Sequence, residues 1–240
     1  MTLIEYINSN NIVVKFDESG YEKTTRYKQF KEGRVKSPYC RTNNHHGYLG
    51  EGKYKVRTDD GVQTKAYTVW QSMLQRCYGV KYHQIRPTYI GCTVCEEWLN
   101  YQTFAEWFDN NYYEVISDSK RGMALDKDIL DKGNKVYCPD YCVFVPDRIN
   151  LLFINVHAVR GDLPIGVSRE GTKYTAHCSI NDNGISKQEQ IGKFSTIEEA
   201  FNAYKEFKET YIKKIAEEYK HMIPKRLYDA LYKYKVSIDD

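Results

Sequence analysis

The spacing of the apolar residues changes twice along the chain, and this limits the possible folds more than composition does. Near the N-terminus, Asn11 to Phe16 (NIVVKF) alternates and is β-branched, as a half-buried strand requires. After a turn at Gly20, Tyr21 to Phe30 supplies a second alternating stretch. Gly33, Pro38, Gly47, Gly50 and Gly52 then crowd a region without helical period, and RTDDGVQTK (57–65) reads as a polar linker with an Asp-Gly turn.

From Ala66 the period becomes helical. Trp70, Met73, Leu74 and Cys77 mark one amphipathic helix, and Trp98, Tyr101, Phe104, Ala105 and Phe108 mark a second over Glu96 to Asp109. Ala124 to Ile129 and Tyr141 to Val145 read as short strands separated by the turn-rich DKGNKVYCPD. Pro146 opens a helix bearing Ile149, Leu152, Phe153 and Val156. The strand period returns after Gly161, in Ile165–Ser168, Tyr174–Ile180 and Gln188–Phe194, joined by Gly171 and the NDNG turn at 181–184. A long helix follows, with Ser195 or Thr196 as cap and Glu198 or Glu199 completing a capping box. Its apolar face is Ala200, Ala203, Tyr204, Phe207, Tyr211, Ile212 and Ile215. The expectation is a modular α+β chain. It has a basic β-rich module (1–57), a ββα centre (65–158), a three-stranded sheet plus helix (161–222), and a terminal helix or tail (223–240).

Composition narrows the function classes. No apolar run approaches the ~18 residues of a membrane helix, so no membrane partner is expected. The opening MTLIEYINSNN lacks the basic and apolar regions of a signal peptide. Seven cysteines, an odd number, argue against a disulfide scaffold and for a reducing cytoplasm. The net charge is only +3, but residues 15–57 hold 11 Lys/Arg against 5 Asp/Glu, while 58–160 hold 11 against 13. A basic arm beside an acidic centre suits a protein that grips phosphates in one place and a cation in another. A solvated basic surface would read the same way. Lys28, Lys31, Arg34 and Lys36, interleaved with Tyr27 and Phe30, are the candidate backbone contacts of that arm. The 22 tyrosines suit wet interfaces and small cores alike.

The segment ALDKDILDKGNKVYCPDYCVFVPDRIN carries the candidate chemistry. Asp126 lies near the end of the first short strand and Asn150 faces inward from the helix. A carboxylate and an amide oxygen are hard ligands suited to magnesium or manganese. The alternative for both is turn and helix capping. Cys92-x-x-Cys95 and Cys138-x-x-x-Cys142 offer four thiols near the spacing of a structural zinc site, or four core fillers.

This segment, with the preceding WQSMLQRCY and YIGCTVCEEWLNYQTFAEWF, resembles the ββα-metal, or HNH, motif of phage and intron homing endonucleases. The resemblance implies a metal held at Asp126 and Asn150. It places Lys127 where the family has its general-base His, and Tyr141 at the middle Asn. A cationic Lys contacts phosphate and does not accept a proton, so the water-activating base is unassigned; His83 and His157 are the nearest substitutes. IGVSREGTKYTAHCSI with KQEQIGKFSTIEEAFNAYKEFK resembles the Apetala/ethylene-response DNA-binding domain, whose sheet lies in the major groove. Alternation then turns Tyr174, Ala176, Cys178 and Ile180 to the helix. Ser168, Glu170, Lys173, Thr175, His177, Ser179, Gln188 and Gln190 face outward, with Arg169 beside them.

Together the resemblances imply a protein that binds double-stranded DNA and cuts it by metal-dependent hydrolysis, catalytic residues Asp126, Lys127 and Asn150. Alternatively, it is an inactive descendant that binds DNA as a regulator or anti-defence factor. A third reading is a protein-interaction module on the same scaffold.

Overall fold

Thr196 and Glu199 form a reciprocal capping box that starts the longest helix, α7 (Ile197–Tyr219). This resolves the two alternatives at each capping position. The computed structural model describes residues 1–115, 122–153, 162–182 and 185–238. The chain has two compact units, one of residues 1–110 with 135–138 and one of residues 111–134 with 139–240. They do not follow the module boundaries of the sequence, since the ββα strands share a unit with the C-terminal sheet. Helices and several small sheets make the chain α+β.

In the first unit, β1 (Thr2–Asn8), β2 (Asn11–Lys15) and β3 (Glu22–Thr25) form an antiparallel sheet in that order. Ile12, Val14 and Val35 are its buried centre. The expected strand from Tyr21 to Phe30 is in fact β3 followed by a helical turn, α1 (Tyr27–Lys31), whose Tyr27 and Phe30 pack on that centre. Strand β1 went unread because register shifts after Leu3 and Tyr6 break its alternation.

Helix α2 (Lys65–Tyr78) buries Ala66, Trp70, Met73, Leu74 and Cys77, and Thr64 caps it by accepting from the Tyr67 N–H. The short α3 (Val80–Ile85) follows, then β4 (Thr93–Val94). The single helix expected over Glu96 to Asp109 is split into α4 (Glu96–Leu99) and α5 (Tyr101–Asn111). Asn100 is extended between them. There the Tyr48 N–H donates to the Leu99 carbonyl and the Tyr101 N–H to the Tyr48 carbonyl, so backbone pairing displaces helical bonding. Gly47 beside this bridge is obligatory, because a Cβ there would lie 2.4 Å from Leu74 and 2.7 Å from Trp70.

In the second unit, β5 (Met123–Asp126) pairs antiparallel with β7 (Val143–Pro146), and α6 (Asp147–Asn150) follows directly. The intervening β6 (Val136–Tyr137) belongs to the first unit and pairs there, parallel, with β4. The expected helix after Pro146 is shorter than its pattern, one α-turn and then a 3-10 turn (Leu151–Phe153); Val156 lies outside the described residues. Strands β8 (Val167–Glu170), β9 (Lys173–Asp182) and β10 (Ile185–Phe194) form an antiparallel sheet with β9 central.

Helix α7 serves two cores. Ala200, Phe201 and Tyr204 close over the three-stranded sheet with Val167, Ala176 and Cys178. Ile212, Ile215, Ala216 and Tyr219 close over Val143, Val145, Ile149 and Leu152. The terminal segment forms helix α8 (Lys225–Lys233), which adds Leu227 and Leu231 to the second cluster.

Fully buried Ile215 sits in that second cluster. Ile215→Ala is expected to cost about 2–5 kcal/mol in urea-induced unfolding. A cost near zero would mean that α7 does not carry the ββα strands.

Candidate functional site

Two sets of residues carry the candidate chemistry, both within the second unit. The first is the ββα centre. Asp126 closes β5 opposite Val143, whereas α6 leaves from Pro146, which pairs with Met123 at the other end of the ladder. At ~3.4 Å per residue, those two ends are about 10 Å apart. Asn150 is the last residue of α6, half-buried, and no hydrogen bond joins its side chain to Asp126.

Asp126 already has a structural task. Its Oδ1 accepts from the Asp128 N–H at 3.0 Å and the Ile129 N–H at 2.8 Å, closing the turn that ends β5. Burial, and then the neighbouring Asp128 carboxylate, push its carboxyl up to about 6. Lys127 holds Asp128 at 3.0 Å, and its carbonyl accepts from the Asn134 amide at 2.7 Å. Tyr141 is exposed. His83, in the first unit, bonds the Arg76 carbonyl through Nε2 at 2.7 Å, while His157 lies outside the described residues.

The cysteines are only partly assembled. The parallel pairing of β4 with β6 brings Cys95 alongside Cys138, and burial raises the Cys95 thiol above its usual range. Cys92 is buried in the same unit; Cys142 is buried and belongs to the second. Among the described residues, no group of three or more His, Cys, Asp or Glu is arranged to hold a metal ion.

The second set is the outer face of the three-stranded sheet. The register places Ser168 opposite Thr175, Gln190 opposite His177, and Gln188 opposite Ser179. Ser168, Arg169, Glu170, Thr175, His177, Gln188 and Gln190 line an open concavity of about 510 Å³. Ser179 is exposed on the same strand face, and Lys173 is exposed opposite Glu170. Thr175 departs from expectation. It is buried on the floor of the concavity, donating to Glu170 at 3.1 Å, so it is no exposed contact. Arg169 is exposed, and its Nε donates to the Gly171 carbonyl at 3.3 Å.

Strict alternation missed Lys193. A register shift between Gln190 and Gly192 reverses the parity of β10, placing Lys193 opposite Thr175 and in an ion pair with Glu170 at 2.9 Å. Lys193 and Thr175 hold the Glu170 carboxyl below its usual range. Gly192 within the strand was the available signal for the bulge.

In the first unit, Lys28, Lys31, Arg34 and Lys36 are all exposed, on α1 and the loop after it. Lys28 and Arg34 both approach Glu32, at 4.0 and 3.2 Å. Among known proteins, no family model, curated protein or solved structure matches the chain. No described helix is long and apolar enough to cross a membrane.

The turn bonds and the raised carboxyl make Asp126 separable by substitution. Its folded value lies above the unfolded one, so the stability it contributes is fully present below about pH 4. That stability is lost as pH rises through about 6. Asp126→Asn keeps an acceptor for both N–H groups and removes the titration. It should melt at or above the wild-type temperature at pH 8, whereas Asp126→Ala loses about 1 kcal/mol. Equal losses in both variants would contradict the turn role.

Proposed function

We propose that the chain is a DNA-binding protein that lays the outer face of its C-terminal sheet against duplex DNA. The observation supporting this reading is the cross-strand array of Ser168, His177, Ser179, Gln188 and Gln190 around an open polar concavity. Hydroxyl, imidazole and amide groups donate to and accept from base edges and phosphates, and a two- or three-stranded ribbon fits the major groove. Among the described residues the face lacks a cluster of arginines, and the ion pair of Lys193 with Glu170 lowers its net positive charge. Affinity then depends on additional cations, for which the exposed Lys28, Lys31, Arg34 and Lys36 are the candidates.

Metal-dependent nicking at the ββα centre is the second reading. It is favoured by the proximity of Asp126 and Asp128, since adjacent carboxylates attract a divalent cation. The donor chemistry fits magnesium or manganese, with Asp126 and Asn150 as the residues that would hold it. A metal there would polarise a phosphoryl oxygen and acidify a bound water. Lys127 then contributes phosphate attraction, and Asp126 must leave or share its turn bonds. We rank binding ahead of cutting because Asp126 Oδ1 already accepts two turn bonds.

Supercoiled plasmid tests both readings. Wild-type protein with magnesium or manganese is expected to retard the plasmid, with retardation weakening steeply between 50 and 200 mM salt. Nicking that requires metal and disappears with EDTA, Asp126→Ala and Asn150→Ala would establish the second reading. Neither retardation nor nicking would overturn both and favour a protein partner.

A further inference from the structure

Helices α7 and α8 run a stripe of rings and ammonium groups along their outer side. On α8, Lys225, Tyr228 and Tyr232 recur at helical spacing, and on α7 Lys213, Glu217 and Lys220 do the same. The two rows meet in register. The Lys213 ammonium lies 5.6 Å from the Tyr232 ring centre, and the Lys220 ammonium 5.5 Å from that of Tyr228. The two rings are stacked, with centroids 5.7 Å apart and planes at 28°. Tyr232 is 46% exposed.

The chemistry of the stripe selects its partner. The aliphatic residues of both helices, Ile212, Ile215, Leu227 and Leu231, are turned inward. What remains outside is aromatic and charged, with Lys213, Lys214, Lys220, Lys225 and Lys233 outnumbering Glu217 and Asp229. Protein interfaces favour Tyr but are depleted in Lys, whereas single-stranded nucleic-acid surfaces combine stacking rings with ammonium groups. Glu217 and Asp229 neutralise two of the five lysines and leave the stripe net positive. Glu217 bonds the Tyr228 hydroxyl and Lys220, Asp229 bonds Lys225, and the exposed Lys214 and Lys233 flank the stripe.

We propose that the α7–α8 stripe is a second nucleic-acid surface, a platform on which single-stranded DNA stacks a base against the exposed Tyr232, which Tyr228 supports from behind. Lys213 and Lys220 hold the strand's phosphates. The proposal rests on the reading that the chain handles DNA, though not on where the duplex sits.

The test uses the full chain, a fluorescent fifteen-nucleotide oligothymidine and a fifteen-base-pair duplex, read by anisotropy. Tyr232→Ala is expected to weaken oligothymidine binding about tenfold and leave duplex binding unchanged. Tyr232→Phe keeps the ring and should restore binding. The double variant Lys213→Ala, Lys220→Ala should weaken it further and flatten its salt dependence. His177→Ala with Gln190→Ala should affect the duplex alone. Wild-type affinity of Tyr232→Ala for oligothymidine overturns the platform, as does duplex binding without any oligothymidine binding. Oligothymidine binding that needs Tyr232, without duplex binding, sustains the platform and removes the sheet reading.

Discussion

Much of the second unit depends on one apolar stripe on α7. Its first half covers the three-stranded sheet through Ala200, Phe201 and Tyr204, and its second half covers the ββα strands through Ile212, Ile215 and Ala216. Neither β-element is large enough to bury itself, since a two-stranded ladder is marginal alone and three strands need a covered face. The Tyr211 hydroxyl adds a directional tie, accepting from the Asn181 N–H and donating to the Asn181 carbonyl. Cavities opened in this stripe therefore reach both candidate sites without touching either.

That dependence also explains which parts of the fold were legible. Helices α2 and α7 were readable because a single face of each is buried, and the cap of α7 is a local signal at Thr196 and Glu199. The split at Asn100 was not, because it comes from pairing with Tyr48, more than fifty residues away. The same holds for β6, whose partner β4 lies 43 residues earlier in the sequence. In β10, alternation carried Gln188 and Gln190 to the outer face but did not reach past the bulge, so Lys193 on that face went unread. A period-two argument is only valid between register shifts.

The two candidate sites differ in how far their residues are already committed. Asp126 supports a turn through two backbone bonds, and an ionised carboxylate there must tolerate burial and Asp128. On the sheet face, His177, Ser179, Gln188 and Gln190 project from a regular ladder, and only Thr175, Glu170 and Lys193 are tied to one another. The rigid ladder fixes where these donors and acceptors leave the backbone, and binding has only their side-chain rotamers left to order. The acidic turn, by contrast, must rearrange its bonds before it can hold a metal.

Amide hydrogen exchange on the full chain, with and without duplex DNA, tests the central claim most directly. The account predicts added protection in peptides spanning residues 167–194, strongest around His177 and Gln190, with little change in the buried face of α7. Protection confined to the N-terminal sheet, or to the turn at residues 126–134, with 167–194 unchanged, would contradict it.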